Sequence, residues 1–279
     1  MFLLLQIFAC DNTAQDPAEP KSIVTEISPS QRNYELLGCR DSFLAKAKEA
    51  DAQCVKEGKG INMVEVEMSV PGANKNHASP KLMVMQTEVT QGFYKKVMGT
   101  LPSLDCEENV NKAKSNPAQP VYCISFTEAL HFANALSQKA SLPSCYDISE
   151  NPRLIDGVNC SGFRLPTYVE WKLMSPLISE KKMPKYAWFA INSDEKTHLV
   201  ASLSENFLGL FDVYGNASEW VWKDEGKLDF TDRLEGQERL MAGGSAGDRY
   251  QNLQFETARL MPKAEKGEDT GFRLIRSLR

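Results

Sequence analysis

Apolar and polar residues alternate through Ile61-Asn-Met-Val-Glu-Val-Glu-Met68, which predicts a strand with one face turned inward. A Pro71-Gly72-Ala-Asn-Lys-Asn76 turn follows. The period then lengthens: along Thr87-Glu-Val-Thr-Gln-Gly-Phe-Tyr-Lys-Lys-Val-Met98, the residues Val89, Phe93 and Val97 share one helical face. A second helix opens at Ser125, with Glu128 three residues on as the partner of a capping box, and turns Ala129, Phe132, Ala133 and Leu136 inward. Thr167 and Glu170 repeat the device and start a third helix carrying Trp171 and Leu173, which Pro176 should end. Everything after Ile61 is short elements separated by turns.

The chain before Ile61 has a different character. Residues Met1 to Ala9 are an apolar run far shorter than the roughly 20 residues that span a bilayer, so they read as a signal peptide rather than an anchor helix. The run ends in Ile7-Phe8-Ala9-Cys10, which resembles the lipobox of bacterial lipoproteins, with Cys10 the lipid-bearing residue. The other reading is a secretory leader with an incidental cysteine; on either reading the basic n-region expected of a signal is missing. Residues 10–30 are polar and rich in Pro, Ser and Glu, a tether with too little apolar material to fold. Residues 31–60 predict a small helical extension, and 61–279 the main domain. The expected location is extracytoplasmic, membrane-anchored through the lipid, in the periplasm or at the cell surface.

With 279 residues, 42% hydrophobic and 25% charged, the chain can bury one large core. A formal net charge of -5 offers no basic stripe to a phosphate backbone, so nucleic acid is not an expected partner. Seven cysteines less Cys10 leave Cys39, Cys54, Cys106, Cys123, Cys145 and Cys160, an even set suited to an oxidising compartment. They form no C-x-x-C and no zinc spacing, so three disulfides in sequence order are the economical reading, with buried free thiols as the alternative. Residues 40–53 are strong helix formers, yet a straight helix over that stretch would hold Cys39 and Cys54 about 22 Å apart, beyond the roughly 7 Å limit for a bridge. A short helix that folds back resolves the conflict; otherwise these two pair elsewhere.

Five segments then occur in a fixed order: Thr87-Glu-Val-Thr-Gln91, Gly162-Phe-Arg-Leu-Pro-Thr-Tyr-Val-Glu-Trp171, Asn206-Phe-Leu-Gly-Leu-Phe-Asp-Val-Tyr-Gly-Asn-Ala-Ser-Glu-Trp220, Gly243-Gly-Ser245 and Gly271-Phe-Arg-Leu274. In order and spacing they resemble the formylglycine-generating, or sulfatase-modifying factor, domain family. The resemblance implies an α+β, C-type-lectin-like fold with little regular secondary structure, stabilised here by disulfides. Within the second motif Arg164 is expected to be buried against a carboxylate and Trp171 to lie in the core. The resemblance also implies calcium at Gly215-Asn-Ala-Ser-Glu219, with Glu219 giving its carboxylate, Gly215 and Ala217 backbone oxygens and Asn216 its amide, as a hard cation taking six to eight oxygens requires. The other reading makes Gly215 and Asn216 a tight turn and pairs Glu219 with an arginine. A second calcium site is implied at Asn192 and Ser193, but Ala201 and Ser202 stand where its carboxylate would come.

Catalysis in that family rests on two cysteines between the Gly-Gly-Ser and Gly-Phe-Arg-Leu motifs, whose thiolates bind copper(I). The corresponding stretch, Ala246 to Thr270, holds none, so no copper is expected. Iron-dependent relatives use a histidine cluster, and His77, His131 and His198 form no ligand pair, so no iron is expected either. No nucleophile elbow, phosphate loop or serine triad signature appears. Two readings remain. The first is a non-catalytic module whose polar surface, Asp248, Arg249, Tyr250, Gln251, Asn252 and Arg259, meets an envelope protein, peptide or glycan. The second is an enzyme of the same superfamily with altered oxidative or maturation chemistry.

Overall fold

The computed structural model describes residues 33–39, 44–46, 52–68, 81–102, 106, 116–223, 238–254 and 258–278. The proposed signal peptide, the lipidation at Cys10, the tether and His77 all lie outside them.

Strand β1 (Tyr34–Leu37) runs antiparallel to β3 (Ile61–Glu67) and to the short β2 (Leu44–Lys46), while helix α1 (Ala52–Lys56) occupies part of the connection between β2 and β3. Strand β4 (Lys81–Met85) pairs with the other edge of β3 and with the C-terminal strand β11 (Ile275–Ser277), giving an antiparallel sheet in the order β11-β4-β3-β1-β2. This corrects the reading of 31–60 as a small helical extension: only five residues of it are described as helix, and β1 lies inside the sheet. Helix-forming composition loses because Leu44 pairs back on Leu37, and the same fold-back brings Cys39 and Cys54 to a Cα–Cα distance of 5.9 Å, joined as a disulfide.

The sheet is covered on both faces, which the alternating pattern of β3 only half announced. Met63, Met83 and Met85 enter a core with α2 (Gln91–Met98) and α3 (Phe126–Lys139). Val64, Val84 and Ile275 enter a second core with α4 (Tyr168–Met174). Helix α2 starts later than its pattern suggested, with Thr90 as N-cap. Residues just before it are not helical: Val89 donates its N–H to Phe272 and accepts from Val121, so backbone pairing overrides helical period there. Helices α3 and α4 open on the expected capping boxes, Ser125 with Glu128 and Thr167 with Glu170. Arg164 grips both oxygens of Glu170 at 2.7 Å, and Trp171 is fully buried.

The hairpin β5 (Tyr146–Asp147) and β6 (Arg153–Leu154) is tied to its flank by the Cys145–Cys160 disulfide, and Cys106 is bonded to Cys123. A second sheet follows, β7 (Ser218–Val221), β8 (Glu238–Ala242), β9 (Arg259–Pro262) and β10 (Thr270–Gly271), in the order β10-β7-β8-β9 with β10 parallel to β7. Between the two sheets lies a polar core. Beside it, long turns over residues 175–216 and 243–254, with the four-residue helix α5 (Tyr250–Leu253), form a face made almost entirely of loops.

Candidate functional site

Glu219 sits on β7 with no solvent exposure, opposite Arg273 of the turn leading into β11. The Arg273 Nε donates to both carboxylate oxygens at 2.7 and 2.9 Å, and the Trp171 indole N–H donates at 3.0 Å. The remaining guanidinium donors reach the carbonyls of Met85, Gln86 and Phe211. One arginine thus joins β7, the end of β4 and the segment before Asp212. Two further buried carboxylates share the pocket. Glu88 accepts the Ala217 N–H at 3.2 Å through one oxygen, and Asp212, in the left-handed region at φ 52°, accepts the Ala201 N–H at 2.7 Å. Their other oxygens, Glu88 Oε2 and Asp212 Oδ1, have no hydrogen-bond partner. Burial, reinforced by the charge of Asp212, pushes the Glu88 carboxyl well above the usual range, and burial pushes Asp212 up to about 6.

Above this pocket the chain makes a tight crossing. Gly215, at φ +69°, lies so close to Trp188 that a Cβ would meet the Trp188 carbonyl oxygen at 2.0 Å, so only glycine fits. Asn216, also left-handed, donates its N–H to that carbonyl, and its side-chain oxygen accepts the His198 N–H at 2.8 Å. The rings of Trp188 and His198 stack at 3.9 Å. Asn192 caps its own turn, accepting from Phe189 N and donating to the Ala187 carbonyl, and the Ser193 hydroxyl donates to the Ala246 carbonyl.

For Glu219 the structure shows the second of the two readings, the arginine pair with a tight turn at Gly215 and Asn216. The calcium set taken from the resemblance does not fit as drawn. Both Glu219 oxygens already accept from Arg273, and the Asn216 amide oxygen is engaged by His198. At the second implied site the side chains of Asn192 and Ser193 are likewise engaged by backbone groups. Among the described residues no three His, Cys, Asp or Glu side chains form a ready metal cage.

The surface drawn from Asp248 to Arg259 also needs correction. Asp248 is only 9% exposed and works as a staple: it accepts from the Ser245 N–H and hydroxyl, from Asn252 and from Arg259. A short charged residue after Gly-Gly-Ser turns its carboxylate back onto the loop that carries it. Arg259 further donates to the Ser218 hydroxyl, and the Tyr250 hydroxyl to the Ile178 carbonyl. Arg249, Gln251 and Asn252 remain on the outside. The Ala190 N–H donates to the Asp248 carbonyl, so this loop and the 186–202 loop are one surface, bearing Ile191 at 71% and Leu199 at 44% exposure. Sequence reasoning missed Glu88, Asp212 and Arg273 as partners in one pocket, although all three lie inside motifs it had marked.

Two sheets flanking a buried polar core, three disulfides and a loop-built face define a C-type-lectin-like α+β domain. The sequence profile of the sulfatase-modifying factor enzyme 1-like domain matches residues 45–278, and the chain belongs to that family. It is 24% identical over 245 residues to the chaperone protein LppX of Paenibacillus barcinonensis, an alignment covering 74% of this chain and 83% of that protein. Among solved structures, Treponema denticola variable protein 1 superposes with a TM-score of 0.65 at 24% identity, covering 78% of this chain and 96% of the other. CarF does so at 0.62 and 24%, covering 78% and 99%. PvdO from Pseudomonas aeruginosa does so at 0.57 and 18%, covering 78% and 95%. At these identities the solved structures establish the fold alone. No helix among the described residues is long and apolar enough to cross a membrane.

Proposed function

We propose that the chain is a non-catalytic binding module of the cell envelope, exported as a lipoprotein through Cys10, whose face is the joined 186–202 and 245–254 loops. The observation that carries this reading is the loop after Gly244. Where the family's oxidases present copper-binding thiolates, this chain has no cysteine, and Asp248 folds the loop down by three hydrogen bonds and an ion pair with Arg259. What the loop offers outward is Arg249, Gln251 and Asn252 with the half-buried Tyr250, beside Ile191 and Leu199. Charged rim with exposed aliphatic residues suits recognition of a protein or peptide. The relative named a chaperone, aligned over most of its length, agrees with a protein partner.

The test has two arms. Incubated with copper and reductant, the protein should leave a sulfatase-motif cysteine peptide unconverted by mass; turnover absent from a no-protein control would replace the module with the enzyme reading. A photo-crosslinker placed at Gln251 on cells should trap a discrete envelope partner, and Ile191→Asp should abolish the adduct. An adduct pattern unchanged by Ile191→Asp would remove the loop face as the binding surface. Lipid labelling lost in Cys10→Ala checks the anchor separately.

A further inference from the structure

Charge is unevenly spread over the loop face. The chain carries a formal net charge of -5, yet the exposed residues of 177–186 are Leu177, Glu180, Lys181, Lys182 and Lys185, three cations against one acid. The Tyr250 hydroxyl donates to the Ile178 carbonyl at 2.8 Å, so the exposed Arg249 adjoins the same segment and adds a fourth cation. Among the described residues Lys181, Lys185 and Arg249 have no ion-pair partner, and the Lys185 ammonium lies 5.3 Å from the centre of the Tyr186 ring. The strip is held from below: Met183 is fully buried, and the Ser204 N–H donates to the Lys185 carbonyl at 3.0 Å. Asp194 and Glu195, exposed in the 186–202 loop, are left-handed at φ 54° and 56° and give the face a separate acidic edge.

We propose that this strip seats an acidic segment of the partner protein, a run of Asp or Glu bearing an aliphatic side chain. Its carboxylates meet Lys181, Lys185 and Arg249, and its aliphatic group packs on Ile191. The proposal rests on the binding-module reading and names the chemistry of the partner. Arginine takes a carboxylate through two parallel N–H bonds, and unpaired cations on a fixed backbone give up little freedom when they do so. The acidic edge at Asp194 and Glu195 repels the same segment and so sets the direction in which it lies. An anionic membrane would answer the same cations, but membrane-docking faces turn aromatic rings into the headgroups. Here the Tyr186 ring is faced by Lys185, and the Trp188 ring stacks on His198 with its indole N–H donated to Ser202 at 2.8 Å. The Tyr250 hydroxyl is likewise spent on Ile178.

The probe is a fluorescein-labelled peptide of Glu residues around a central Leu, titrated onto the full chain by anisotropy, beside a counterpart with Gln in place of Glu. The acidic peptide should bind saturably and about tenfold more tightly than the Gln peptide, and weaken about tenfold between about 50 and about 500 mM salt. Lys185→Glu combined with Arg249→Glu should abolish the preference. Lys56→Glu combined with Lys95→Glu, an equal change of net charge on exposed residues of α1 and α2, should keep it. Equal binding of the two peptides, or equal loss in both pairs of variants, would overturn the acidic occupant. So would binding to phosphatidylglycerol vesicles that Lys185→Glu with Arg249→Glu removes, without binding of the acidic peptide. The two readings fail separately. A cross-link at Gln251 that survives Lys185→Glu with Arg249→Glu but not Ile191→Asp keeps the face and removes the acidic occupant, whereas one that survives Ile191→Asp removes the face itself.

Discussion

Helices α3 and α4 with their caps, and the polar pocket around Arg273, are built by opposite means. In the helices, the deciding contacts span three residues: Ser125 with Glu128, Thr167 with Glu170. In the pocket they span 54 residues from Arg273 to Glu219, 129 from Glu88 to Ala217 and 188 from Arg273 to Met85. Short-range contacts are individually inexpensive to lose and can be read from the letters. Long-range ones are costly to lose, because a severed partner stays buried with its charge. The contrast is testable as a gradient of effects, from the pocket down to the caps.

Arg273→Met should have the largest effect. It keeps the volume and leaves Glu219 buried with no cation beside two further carboxylates, and removing one partner of a buried pair costs about 3–5 kcal/mol. Urea unfolding of the variant should show that loss, and a loss below about 1 kcal/mol would mean the pocket is not where long-range stability resides.

Next comes the Cys145–Cys160 bridge. It closes 15 residues, for which chain entropy gives about 3 kcal/mol. The double Cys→Ala variant should lose about that much, and mass mapping without reduction should find the two cysteines linked in the wild type. A free thiol at either position would discard the pairing.

The pocket and the edge of the first sheet also part in the sign of their pH response. Burial raises Asp212 to about 6, above its unfolded value, so its stabilising share is complete below the unfolded value and disappears as pH rises through about 6. The melting temperature should therefore fall from about pH 5 to about pH 7, and Asp212→Asn should flatten the fall. Glu65 behaves in the opposite way. The hydrogen bond from Asn33, helped by Lys81, lowers its carboxyl, so its contribution is present above its ordinary range and lost as pH falls through the lowered value. A protein that grows steadily more stable from pH 5 to pH 8 would contradict the raised assignment for Asp212.

This gradient also explains what was legible. The family, the fold class, both capping boxes, the Arg164–Glu170 pair and the burial of Trp171 could be read, because each rests on a motif or a short spacing. The strand at Tyr34–Leu37 could not, since its partner β3 begins 24 residues after it ends, and helix formers fill the gap. Glu88 lies before the helix that its pattern predicts, because its neighbour Val89 pairs with Phe272, a contact no local period records. Asp248 was read as surface because a charged residue in a turn usually is; only the return of Arg259 and Asn252 onto its oxygens buries it.

The smallest effects belong to the caps, and they set the lower end of the comparison. Ser125 accepts the Glu128 N–H at 3.2 Å through its hydroxyl, and Glu128 returns a bond to the Ser125 N–H at 2.8 Å. The hydroxyl also donates to the Glu128 carboxylate at 3.0 Å, so Ser125→Ala removes two of the three bonds and leaves an N–H at the start of a 14-residue helix to find water, at a cost of about 1 kcal/mol. For a chain this size that is a shift of about 2–4 °C. Ser125→Gly should lose only a few tenths of a kcal/mol, because glycine lets water reach the same N–H. Asn at position 125 should restore the wild-type value, since its amide oxygen accepts the same bond. If Ser125→Ala were instead as damaging as Arg273→Met, the distinction between local and long-range contacts would fail. Ser125, only 6% exposed and two residues from Cys123, would then be acting through the core and not as a cap.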